Sequence, residues 1–227
     1  MTQARDRVLG DVRSALLRAE LPHSGGERPF YVVAPDQSSP GEMVDRFTRA
    51  LEALTGTVHH AGSLDQIADA LADIGRAHDT TSYLSWDEDE LGCTGLVDRL
   101  LSRGLRRMSY DLPFDQPGRD AGVRALAVVG LGITGADAAL ADSGGIVLSS
   151  GRGRGRLASL LPPVHVALVK RDRLFPSLPA LLAVRPDLVV AGSNLVVVAG
   201  PSRTADIEMT LTHGVHGPKH VHVILTA

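Results

Sequence analysis

The chain reads as an α/β protein built on a mostly parallel sheet, with a helix at its N-terminus. Three observations predict this. Short apolar runs alternate with helical periodicity from about Phe30 onward, the pattern of consecutive βαβ units. Five runs in the second half, ALAVVG, GGIVLSS, HVALVK, LVVVAG and HVHVILT, are rich in apolar and β-branched residues, as strands buried on both faces are. A composition of 44% hydrophobic and 22% charged residues belongs to a chain with a packed core rather than to a disordered one. At 227 residues, one α/β core with an appended helix accommodates the whole length.

Taken in order, Val8, Val12 and Leu16 recur at helical spacing between Arg and Asp residues and predict an amphipathic helix that ends before Pro22. The breaker-rich PHSGGERPF follows as a linker. Residues 1–29 are therefore assigned to helix and linker, and 30–227 to the α/β domain. Within the domain, YVVA predicts a strand, Met43 to Leu54 a helix, TVHHA a strand, Ser63 to Ala77 a helix and SYLSW a strand. Residues 86–117 are less regular, and the acidic run DEDE there reads as a solvated helix start, where carboxylates complement the helix dipole. The five apolar runs named above then supply the inner strands.

Charge and cysteine content exclude several function classes. A net charge of −3 gives no basic field to hold a nucleic-acid backbone or an anionic membrane. The single cysteine, Cys93, supplies neither a disulfide nor the thiolates of an iron–sulfur cluster or structural zinc site. No bound cofactor or metal is expected on this chain. The charged N-terminus lacks an apolar leader core, and no later run reaches the roughly 20 apolar residues of a membrane span, so a cytoplasmic location is expected.

Five segments carry candidate chemistry. Gly130, Gly132 and Gly135 follow ALAVV with the spacing G-x-G-x-x-G, but the unit to the next strand is too short for a dinucleotide site, and a loop at a strand's C-terminal end is expected instead. Asp142, Ser143 and Gly144 open a second glycine loop. Arg152 and Arg154, in GRGRGR, combine fixed charge with backbone N–H groups free of Cβ crowding, which suits a carboxylate or phosphate. In GPSRTADIE, Ser202 is expected to cap a helix whose N-terminus, with Arg203, Thr204 and Asp206, attracts an anion. His216 of GVHGP suits hydrogen bonding or acid–base work better than metal binding, since no cysteine or carboxylate stands near it to complete a ligand set. Loops that follow strands of one parallel sheet reach the same edge, so Ser202, Arg203 and the 151–156 loop are expected to share one cleft.

The stretch from ITGADAALADSGGIVLSS through SLLPPVHVALV to AGPSRTADIEMTLTHGVHGPKHVHVIL resembles the LUD domain of the lactate-utilisation protein C family over about the last hundred residues. The resemblance implies the sugar-isomerase and CoA-transferase-like fold, a three-layer α/β/α sandwich. It also implies a place in a system that oxidises lactate to pyruvate, with the iron–sulfur clusters on partner proteins. On that basis His216, Asp142 and Asp206 are the candidate catalytic residues, and Ser143, Gly144, Arg152, Arg154, Ser202, Arg203 and Thr204 the candidate substrate ligands. No glutamate occurs between Ala121 and Lys170, which removes the most natural nucleophile of a CoA transferase. Two other readings fit the same residues: an independent sugar-phosphate isomerase-like or nucleotide-binding enzyme, and a non-catalytic assembly subunit.

Overall fold

The computed structural model describes residues 2–18, 36–109, 115–205, 211–213 and 217–227. The chain forms two compact units, Met1–Ala34 and Pro35–Ala227. Helix α1 (Thr2–Arg18) belongs to the first. The predicted YVVA strand lies outside the described residues.

The second unit begins with α2 (Pro40–Ala53), which starts where it does because Ser39 and Glu42 form a reciprocal capping box and Pro40 is preset for a first turn. Strand β1 (Thr57–Ala61) and helix α3 (Leu64–Ala77, capped by Ser63) follow as predicted. After them come β2 (Ser82–Ser85), the short helices α4 (Glu88–Leu91) and α5 (Leu96–Ser102), β3 (Arg106–Arg107) and α6 (Gln116–Leu126). The DEDE run thus does begin a helix, α4. The next elements are β4 (Leu131–Thr134), β5 (Ala138–Leu140), β6 (Gly145–Ser150), α7 (Leu157–Leu160) and β7 (Val164–Lys170). The chain continues through β8 (Leu174–Phe175), α8 (Leu178–Val184), α9 (Leu188–Ala191), β9 (Asn194–Val198), β10 (Arg203–Ala205), β11 (Leu211–His213) and β12 (His220–Thr226).

Six strands form one parallel sheet in the order β1-β12-β7-β4-β2-β3. Its central strands are apolar on both faces: β7 is buried from Val164 to Val169, and Val221, Val223, Ile224 and Leu225 of β12 are buried too. Helices flank this sheet, giving the three-layer α/β type that was predicted. A second sheet, β8-β5-β6-β9, is mostly antiparallel. Its side chains alternate with period two. Ala139, Ile146 and Leu148 join the main core, whereas Ala138, Leu140 and Val147 pack with Leu181 of α8 and Leu188 of α9.

Three expectations are corrected. GGIVLSS and LVVVAG are strands, β6 and β9, but they pair with each other in the second sheet and not in the parallel one. ALAVVG is the end of α6 and a turn, while the strand is the following LGIT. The glycine pattern therefore lies around a strand rather than after one. A Cβ on Gly132 would overlap the carbonyl of Ala158, and one on Gly130 would overlap the side chain of Thr80, so these glycines permit close packing against β4. Finally, no helix follows Ser202. Arg203–Ala205 is a strand paired antiparallel with Leu211–His213, which removes the helix N-terminus expected there.

Candidate functional site

The candidate ligand residues fall at two edges of the molecule. Asp142 and Ser143 are exposed in the β5–β6 turn. Gly144, at φ +65°, lies against Ala50 and Leu51 of α2, and Gly200, at φ +79°, lies against Leu54 just beyond that helix. Ser202 donates its backbone N–H to the carbonyl of Pro218, 2.9 Å away, which places it where β12 begins. This group therefore gathers at the N-terminal edge of the parallel sheet. Arg152 and Arg154 lie beyond the other end of β6, six residues and roughly 20 Å along the strand. The single cleft expected for Ser202, Arg203 and the 151–156 loop does not form, because β6 and β9 run antiparallel and carry their flanking loops to opposite ends. The backbones of Arg203 and Thr204 lie in the β10–β11 hairpin; Asp206 and His216 lie outside the described residues.

The C-terminal edge of the parallel sheet, where open α/β sheets bind ligands, carries a groove. Its floor is the ends of β1, β12 and β7 and the turn after β4. On one side stands the glycine–arginine loop. Arg154 donates from Nε to Glu90 at 2.6 Å and from Nη1 to Asp137 at 2.8 Å and to Ser149 Oγ at 3.0 Å. Its guanidinium also stands 5.2 Å above the buried Trp86 ring. Asp137 is only 8% exposed and accepts a second bond from the Ser149 N–H. Burial opposes the charge on Arg154, but the bonds to Glu90 and Asp137 outweigh it and hold the guanidinium protonated. Arg152 is exposed and lines a cleft of about 340 Å³ with Asp137, Ser149 and Arg154.

On the other side is the turn after β7. Lys170 and Arg173 line a recess of about 160 Å³ together with Asp89, Glu90, Gly135 and Arg154. Arg173 is anchored by donating to the Ala136 carbonyl at 2.9 Å. Among the described residues neither Lys170 nor Arg173 is paired with a carboxylate, and the carboxylate of Asp89 is likewise without a basic partner. Gly92, at φ +64°, ends α4 and lets the Lys170 stem pass about 3.7 Å from where its Cβ would stand. Sequence reasoning missed Lys170, Arg173, Asp89, Glu90 and Asp137. The usable signal was KRDR placed directly after an apolar strand, which sends cations to the ligand-binding edge of the sheet.

Two other titratable groups bear on chemistry. The half-buried Cys93 thiol is pushed up by burial, against the pull of Lys170, so it is a thiol and not a thiolate at neutral pH. His165 is fully buried, bonded through Nε2 to Thr134 Oγ1 at 2.9 Å, and burial lowers its pKa to about 4. At the opposite edge, His59 Nε2 and His222 Nδ1 are 3.1 Å apart, and the His78 and His220 rings meet at a tilt with centroids 4.4 Å apart. Among the described residues no group of three or more His, Cys, Asp or Glu side chains is arranged to hold a metal ion. None of the described helices is long and apolar enough to cross a membrane.

A model of the LUD domain matches residues 44–226. Two proteins named lactate utilization protein C are similar along nearly their whole length. The one from Halalkalibacterium halodurans is 28% identical, with 96% of this chain and 95% of the relative covered. The one from Geobacillus sp. is 29% identical, with 98% and 95% covered. A crystal structure of a DUF162 family protein from Deinococcus radiodurans superposes with a TM-score of 0.56 over 84% of this chain and 99% of that one. At 18% identity it speaks to the fold alone.

Proposed function

We propose, from the premise that this chain belongs to the LUD domain family, that it works in lactate utilisation and binds a small 2-hydroxy or 2-oxo carboxylate in the recess between Lys170, Arg173 and Asp89. The observation that carries this reading is the pair of cations at the ligand-binding edge that form no ion pair with a carboxylate among the described residues. A substrate carboxylate supplies the missing counter-charge, and each charge-assisted bond there contributes about 1.5–3 kcal/mol. Asp89 suits the other half of the same molecule, because a carboxylate accepts from a substrate hydroxyl. A 2-hydroxy acid carries both groups on adjacent carbons. Arg154 forms the far wall, and Arg152 adds positive potential along the approach.

Oxidation of lactate to pyruvate releases two electrons and two protons. One cysteine cannot hold an iron–sulfur cluster, so in this reading the electrons pass to cluster-bearing partner proteins and the chain acts as the substrate-holding subunit of a cytoplasmic complex. The test is lactate-dependent reduction of a dye by the purified chain alone, by its iron–sulfur partners alone, and by the two together. Reduction only in the mixture is the expected outcome; turnover by either half alone at the rate of the mixture would overturn the subunit role.

A further inference from the structure

The recess does not end at Lys170. A second pocket of about 350 Å³ adjoins it, and the two share Leu91, Gly92, Leu168 and Lys170 as walls. Its remaining lining sets an apolar side, Ala61, Leu64, Ile67 and Cys93, beside the hydroxyl residues Ser63, Thr94 and Thr226. Burial keeps the Cys93 thiol uncharged there, so it serves as another small apolar surface. Lactate presents only a methyl group beyond its carboxylate and hydroxyl. A methyl is about the size of one water, whose share of liquid volume is about 30 Å³, so it leaves this space almost wholly unfilled. Charged residues on one side of Lys170 and a mixed wall with an aliphatic patch on the other make the groove two-ended, charged at Arg173 and apolar at the Leu64–Ile67 patch.

We propose that the groove takes 2-hydroxy acids with side chains longer than that of lactate, carboxylate on Lys170 and Arg173, side chain in the Leu64 pocket. This rests on the carboxylate reading of the recess and extends it to substrate class. Each methylene moved from water to an apolar wall is worth up to about fourfold in affinity, and a half-open wall gives about twofold. The three extra carbons of 2-hydroxyisocaproate should therefore tighten binding about tenfold relative to lactate, with 3-phenyllactate at least as tight.

Calorimetric titration of lactate, 2-hydroxyisocaproate and 3-phenyllactate into the full chain measures this directly, with Lys170→Ala and Leu64→Asn alongside. Leu64 is half-buried at the first helical position of α3, where a polar residue of the same size leaves the helix start intact, and a thermal melt verifies the fold. The expected pattern is a tenfold preference for the longer acids in the natural sequence. Leu64→Asn should cut that preference to about twofold, and Lys170→Ala should weaken all three acids while leaving their ratio in place. Equal affinity for the three acids, with binding still dependent on Lys170, overturns the extended pocket and leaves the carboxylate recess standing. A chain-length preference that survives Leu64→Asn overturns the assigned pocket. Affinities indifferent to Lys170→Ala, or no binding of any acid, overturn both.

Discussion

Arg154 and Lys170 flank the same groove with the same charge, yet the fold uses them oppositely. The guanidinium of Arg154 is held by Glu90, Asp137 and Ser149 and covers Trp86. The ammonium of Lys170 forms no ion pair with a carboxylate among the described residues. A cation already held by carboxylates stabilises the protein and has little left for a ligand, whereas an uncommitted one adds little to stability and is available to an anion. The role of a basic residue follows from what its charge already meets, not from the motif in which it stands.

The largest effect expected from this contrast is on stability. Arg154→Ala strips Asp137, a nearly buried carboxylate, of its counter-charge and should cost about 3 kcal/mol, whereas Lys170→Ala should change stability by no more than about 0.5 kcal/mol. Urea unfolding of the two variants measures both, and equal costs would erase the distinction. Acid sharpens it next. His165 is neutral in the fold, with a pKa of about 4, and titrates near 6.5 when unfolded. Between those values the unfolded chain binds the extra proton, so stability rises with pH there and is lost as pH falls. From pH 7.5 to 5 that one residue should remove about 2 kcal/mol, while carboxylate binding should persist because His165 does not line the recess. Urea unfolding and anion titration at both pH values separate the two quantities; anion binding that fell in step with stability would tie the recess to the core. The smallest effect is that of Ser149→Ala, which removes one hydrogen bond from Arg154. It should cost about 1 kcal/mol and leave anion affinity unchanged in the same titration.

The sequence pattern was legible where a single local rule decided the element. Helix α2 was legible from Met43 to Leu54, and only its start, which the Ser39–Glu42 capping box sets at Pro40, lay outside that reading; α3 announced itself by Ser63 and its apolar stripe. Strands β7 and β12 were apolar enough to be central whatever surrounded them. Local rules failed where a neighbour distant in sequence decided. Gly132 resembles a loop residue, but it sits in β4 because α7 needs its missing Cβ. β6 and β9 have the composition of parallel core strands, and only their mutual antiparallel pairing assigns them to the second sheet. The site followed the same division. Arg152 and Arg154 were recognisable by their charge, but one of the carboxylates that occupies Arg154 is Glu90, 64 residues earlier, and no spacing rule reaches that far. Lys170 and Arg173 were passed over because KRDR reads as an ordinary solvated turn until the parallel sheet places it at the ligand-binding edge.

The central claim is that Lys170 and Arg173 together hold the carboxylate. Calorimetric titration of lactate and pyruvate into the natural sequence and the Lys170→Ala/Arg173→Ala double variant tests it most directly. Two charge-assisted contacts on exposed side chains should together be worth about a hundredfold in affinity for both anions, with the melting temperature nearly unchanged. Affinities equal to those of the natural sequence in a folded double variant would contradict the account.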